Sequence, residues 1–145
     1  IVALELAMRH PTQVRKMAIT GANLWPDSTA LEPWLWKEMR SYYDSTKSKI
    51  RETAKEKNEW KLFMLDWVLP QIRLSELQDI KCPVLVIAGD KDLIRTEHTV
   101  QIFQHIPLAK LWIVPNSSHG TLVEQPKEFS ENIIKYFSGS LNRNK

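Results

Sequence analysis

The sequence predicts an α/β chain built on three parallel strands with flanking helices, and three observations point there. Two continuous apolar runs, Pro83–Ala88 (PVLVIA) and Leu111–Val114 (LWIV), read as strands buried on both faces, the pattern of a parallel sheet. Between them lies room for a helix, the crossover that parallel strands need. Near the start, a helix, a tight turn and a short strand follow one another within about twenty residues, an αβ unit.

Taken in order, residues 1–10 read as a helix stopped by Pro11, because proline disfavours helical geometry in the residue before it. Apolar residues occupy Ile1, Val2, Ala3, Leu4, Leu6, Ala7 and Met8, more than one stripe, so this helix is expected to be buried on most sides. Val14–Thr20 reads as the first strand, closed by Gly21. The texture then changes. Residues 22 to about 75 hold five of the six tryptophans, the pair Tyr42–Tyr43 and many alternating charges. Helices are expected over Leu31–Asp44, Lys47–Lys57 and Glu59–Val68. In the last of them Trp60, Phe63, Met64 and Trp67 fall at i, i+3, i+4 and i+7.

Regular alternation resumes at Leu74, with Leu77 and Ile80 ending a short helix before the strand at 84–88. Thr96 is placed to cap a helix carrying Val100, Phe103 and Ile106, which Pro107 ends. A buried strand at 110–114 follows. Pro126 then sits in the first turn of a last helix, with an apolar stripe of Phe129, Ile133, Ile134 and Phe137. The expected organisation is a core of residues 1–23 and 74–140, a helical insertion at 24–73, and a frayed polar tail at 141–145.

Composition narrows the function classes. The chain has 145 residues, 43% hydrophobic and 26% charged, with net charge +3, ordinary for a globular domain. Its positive charges are interleaved with acids, so no nucleic-acid partner is expected. Cys82 is the one cysteine, which leaves no internal disulfide and makes a cytoplasmic setting the default expectation. No apolar run reaches the ~18 residues of a membrane helix, and no membrane association is expected. The chain begins with Ile inside a helical pattern that has no N-cap, and it is expected to be a piece of something longer.

In open parallel sheets, ligand chemistry sits at the carboxyl ends of the strands. Two of those ends carry titratable groups: Gly89-Asp90-Lys91-Asp92 and Asn116-Ser117-Ser118-His119-Gly120. Adjacent parallel strands lie ~4.8 Å apart, so an acid on one loop reaches an imidazole on the next. A carboxylate on one ring nitrogen fixes the tautomer and leaves the other nitrogen as a general base.

These segments, VLVIAGDKDLI and IVPNSSHGTLVEQPKEFSENIIKYF, resemble the last two strands and loops of the α/β-hydrolase superfamily. There G-x-x-D supplies the triad acid and a later histidine the base. The resemblance implies Asp92 as acid and His119 as base, 27 residues apart, in the family's order of nucleophile, acid, histidine. The opening IVALELAMRHPTQVRKMAITGA resembles the helix after the family's nucleophile elbow and the strand that follows. No G-x-S-x-G occurs: the four glycines are Gly21, Gly89, Gly120 and Gly139. The nucleophile and the N-terminal half of the fold are thus expected upstream of residue 1, and the insertion corresponds to the family's cap. The resemblance implies a small-molecule substrate with an ester, amide or related bond, and neither cofactor nor metal. Core packing is the commoner role of aromatics at helical spacing. Trp25, Trp34 and Trp67 are nevertheless the candidates to line a substrate pocket.

Asp90 is expected to be a solvated turn or capping residue, and Ser117 and Ser118 plain loop hydroxyls. Glu124 and Pro126 should organise the last helix, and His10, His98 and His105 should be structural. Two other readings fit parts of the pattern. Asp90 and Asp92 would suit a magnesium-dependent phosphatase, although the D-x-D-x-T/V nucleophile motif of the haloacid-dehalogenase type is missing. A truncated, inactive hydrolase would serve as a binding module. If the first strand lacks its neighbour, its exposed edge at 14–20 is expected to pair with a second copy as a homodimer.

Overall fold

The computed structural model describes residues 1–139; the expected tail at 141–145 lies outside them. The elements run α1 (Val2–Arg9), β1 (Met17–Thr20), α2 (Pro33–Thr46), α3 (Ala54–Val68), a 3₁₀ turn (Leu74–Asp79), β2 (Val84–Gly89), α4 (Thr96–His105), β3 (Ala109–Val114), α5 (Thr121–Glu124) and α6 (Pro126–Ser138). The three strands form one parallel sheet in the order β1-β2-β3.

β2 is the central strand, and every residue of it is buried. It is a run of aliphatics because both of its faces are covered. On one face Met17, Ile19, Val84 and Val86 pack with Leu4 and Ala7 of α1, Leu77 and Ile80 around the 3₁₀ turn, Ile102 of α4 and Ile106 just after it. On the other, Leu85, Ile87 and Val114 pack with Trp112 and with Phe129, Ile133 and Tyr136 of α6. Complete burial of each such aliphatic side chain contributes roughly 1.5–3 kcal/mol.

Several expectations are corrected. β1 begins at Met17, because Pro11–Arg15 are spent on a turn and bend. α1 is buried only at Leu4 and Ala7, while Val2 is 82% exposed. The sheet side takes one stripe of the helix, and no other described element covers the rest. β3 is an edge strand, with Val114 its one buried residue, rather than a strand buried throughout. The apolar stripe of α6 is Phe129, Ile133 and Tyr136; Ile134 and Phe137 face outward. Thr96 is the first residue of α4, and Arg95 occupies the N-cap without a side-chain bond.

The segment Lys47–Lys57 is not a helix of its own. Thr53 caps α3: its hydroxyl accepts from Glu56 N at 3.2 Å, and Thr53 N donates back to Glu56 Oε2 at 2.9 Å. Such a reciprocal cap satisfies two otherwise orphaned donors and sets where a helix begins. α3 then runs unbroken to Val68.

α2 and α3 form an antiparallel hairpin held by aromatic rings. Trp36 stacks on Trp67 at 4.8 Å, Tyr43 stacks on Trp67 at 4.8 Å and on Trp60 at 6.1 Å, and Tyr42 meets Phe63 edge-on at 4.7 Å. Arg51 lies 3.7 Å over the Trp60 ring and donates to Thr46 O, closing the connection. α3 has no buried residue. The hairpin joins the sheet layer through its roots. Leu31 bridges Ile94, Glu32 N donates to Leu93 O at 2.9 Å, and Ile72 N donates to Leu24 O at 2.9 Å.

Candidate active site

The register brings the carboxyl ends of all three strands to one edge of the sheet. Asp92 follows β2 by three residues. It is buried, and its Oδ1 accepts from Ile94 N at 3.0 Å, a bond that turns the loop toward α4. The same oxygen lies 2.7 Å from His119 Nδ1. A carboxylate acceptor there means that Nδ1 carries the proton, so Nε2 is left unprotonated in the neutral ring. The acid side chain is 1% exposed and the histidine side chain 47% exposed. The acid is therefore shielded from water, while the base opens onto the surface. The hydrogen bond that Nδ1 donates to Asp92 raises the imidazole pKa above its ordinary value, against the opposing effect of partial burial.

Three features fix the histidine loop. Gly21 ends β1 with φ +55°, a left-handed conformation, and a Cβ built there would stand 2.5 Å from His119 Cε1 and 2.7 Å from Nδ1. The imidazole thus rests on a bare backbone, and any side chain at 21 would displace it. Gly89 ends β2, and a Cβ there would run into the carbonyl oxygens of Ser117 and Ser118. Lys91 N donates to Ser117 O at 3.0 Å, and Ser117 N donates to Asp90 Oδ1 at 3.1 Å. Finally Glu124 on α5 accepts from Ser118 N at 2.6 Å, from Ser117 Oγ at 3.1 Å, and from Ser118 Oγ. These hydroxyl and amide donors hold its carboxyl below the usual range.

Two expectations change here. Asp90 is exposed but anchors the 116–117 backbone, whose N–H groups depress its pKa. Glu124 organises the histidine loop rather than the last helix. Asp90 Oδ1 accepts from Ser117 N, whereas Asp92 Oδ1 is held by Ile94 N and His119 Nδ1, a division of partners that favours the acid–histidine reading over the metal-phosphatase one.

Above His119 a cleft of about 490 Å³ opens between the strand ends and the hairpin. Gly21, Asn23 and His119 form its floor, Leu35 and Met39 come from α2, Leu65 and Asp66 from α3, and Leu93 and Ile94 from the β2–α4 loop. None of Trp25, Trp34 or Trp67 lines it. Trp25 packs into the core, meets His98 edge-on at 4.5 Å and donates from Nε1 to Thr29. Trp34 is 52% exposed, and Trp67 is spent on stacking against α2. The pocket walls are mainly aliphatic, and of the three rings only Trp67 is consumed in joining the two helices.

His98 is fully buried, accepts from Leu24 N at 3.0 Å through Nε2, and has its pKa pushed down to about 4 by burial. A neutral ring serves as an acceptor for the backbone where the hairpin segment begins, a structural task.

No family model matches the chain. The mouse serine hydrolase BPHL is 27% identical over 143 residues, covering 90% of this chain and 48% of that protein. The pimeloyl-[acyl-carrier protein] methyl ester esterase of Nitrosospira multiformis is 24% identical, covering 93% of this chain and 64% of that protein. The chain thus spans between about half and two-thirds of the length of these relatives. The crystal structure of MGS-M2, an α/β hydrolase enzyme from a Medee basin deep-sea metagenome library, superposes with a TM-score of 0.67 at 22% identity, over 99% of this chain and 64% of that one. A parallel sheet with an acid and a histidine on adjacent strand ends, beneath a helical hairpin, gives this chain the α/β-hydrolase fold over the part it spans.

Proposed function

We propose that this chain supplies the acid, the base and the cap of a hydrolase that cleaves small carboxylic esters or related acyl compounds through a covalent intermediate. The observation that carries the reading is the 2.7 Å bond between Asp92 and His119 Nδ1, with the ring facing an apolar cleft. Relatives named as a serine hydrolase and an esterase support the same chemistry. In this reading α2 and α3 are the cap over the reacting bond.

The steps follow from the imidazole's tautomer. As a hydroxyl or thiol nucleophile bonds to the carbonyl carbon, its proton passes to His119 Nε2, and the Asp92 carboxylate stabilises the imidazolium. The tetrahedral adduct collapses, and the departing alcohol takes that proton. Water then gives a proton to Nε2 as it attacks the acyl group, and Nε2 passes that proton to the nucleophile as it departs, releasing the carboxylic acid and restoring the neutral imidazole.

The nucleophile comes from residues outside these 145. Ser117 and Ser118 are turned to Glu124, and the relatives are considerably longer. The test is to express the complete reading frame and assay p-nitrophenyl esters with and without His119→Ala. A fall in kcat/KM of about 10⁴–10⁶ is expected, the scale of losing a triad member. Unchanged activity in the variant overturns the assignment. The 145-residue chain alone is expected to be inactive, and His119-dependent turnover by it would move the nucleophile into these residues.

A further inference from the structure

We infer that the cleft selects acyl groups that are apolar and carry no negative charge, and that Asp66 sets this charge selection. The inference rests on the ester-hydrolase reading and names the substrate class of the same site.

The walls of the cleft are aliphatic. Leu35 and Met39 lie one turn apart on α2, and Leu65 and Leu69 one turn apart at the end of α3, so each helix presents an apolar strip to the same space. Its volume of about 490 Å³ falls within the usual range of small-molecule sites. Among the described residues lining it, the ionisable side chains are His119 and Asp66. His119 is on the floor, and Asp66 lines the wall that α3 contributes. Among the described residues Asp66 is exposed and makes no hydrogen bond or ion pair.

An acyl chain that reaches from His119 along these walls brings its far end toward Asp66. A methyl end meets aliphatic carbon and loses nothing. A carboxylate end meets a like charge beside low-dielectric walls and must also give up water. Because the cleft is open to solvent, the discrimination is moderate and falls with added salt.

The experiment uses the complete gene product and two esters of matched length: p-nitrophenyl pentanoate, which is neutral, and mono-p-nitrophenyl glutarate, which is anionic. The pentanoate is expected to have the higher kcat/KM. Asp66→Asn should raise kcat/KM for the glutarate about three- to tenfold relative to that for the pentanoate, mainly through KM. Asp66→Glu, which keeps the charge, should retain the discrimination, and 0.5 M NaCl should compress it. Turnover of both esters at a ratio unchanged by Asp66→Asn overturns this inference and leaves the ester reading standing. Absence of turnover of either ester by the wild-type protein overturns both.

Discussion

The two walls of the cleft are built by different physics. The strand-end wall stands on β2, where every residue is buried between two aliphatic layers and each loop is tied by backbone hydrogen bonds. The hairpin wall stands on α2 and α3, where α3 buries nothing and the helices meet through half-exposed rings. Close-packed aliphatic layers fix positions to fractions of an ångström, whereas stacked rings at a solvated surface slide and tilt at little cost. In the proposed hydrolase the acid–base pair, which needs fixed geometry, is on the first wall, and the surface that would fit a substrate is on the second.

Three substitutions separate the walls, in descending order of effect. Gly89→Ala drives a methyl group into the backbone of the histidine loop, and a loss of about 3 kcal/mol or more is expected in urea unfolding. If stability is retained, the first wall is softer than its packing implies.

Gly21→Ala is the second. The left-handed backbone costs about 1–2 kcal/mol with a Cβ, and the new methyl group pushes the imidazole off Asp92. His119 is raised above its ordinary value in the folded chain, so the stabilisation from the charged pair is fully present below about pH 6.5 and lost as pH rises through the raised value. NMR titration of His119 in the variant should show its pKa falling back toward 6.5. In the proposed complete enzyme the acid limb of the pH profile, which would require neutral imidazole, should move down with it. An unshifted titration would mean that the glycine does not position the ring.

Trp67→Ala is the third. It removes the ring that stacks on both Trp36 and Tyr43, each contact contributing about 0.5–1.5 kcal/mol beyond area burial. Amide exchange should quicken throughout α2 and α3 while β2 stays protected. Equal quickening in β2 would join the two walls into one cooperative unit.

The same division decides what was legible in the sequence. β2 and the positions of Asp92 and His119 could be read because a strand buried on both faces is a continuous apolar run, and its carboxyl end follows directly. The hairpin was harder. Helical spacing in Trp60, Phe63 and Trp67 shows that the rings share a face but not what they face, and here it is the other helix. The start of α3 was hidden in a run of charges, where Thr53 and Glu56 form the cap that places it. The task of Glu124 was out of reach as well, since its partners Ser117 and Ser118 meet it only once the loop folds back. Gly21 could be read as the end of a strand; the ring lying on it depends on β1 and β3 flanking the same central strand.

The placement of the indoles has a practical consequence. Of the six tryptophans, Trp34, Trp36, Trp60 and Trp67 sit on the two hairpin helices, and Trp112 alone belongs to the sheet. Intrinsic emission is therefore a gauge of the outer helices, whereas far-ultraviolet dichroism sums over the whole backbone. A melt followed by both signals should yield two midpoints if the helices detach first, with the emission changing at the lower temperature.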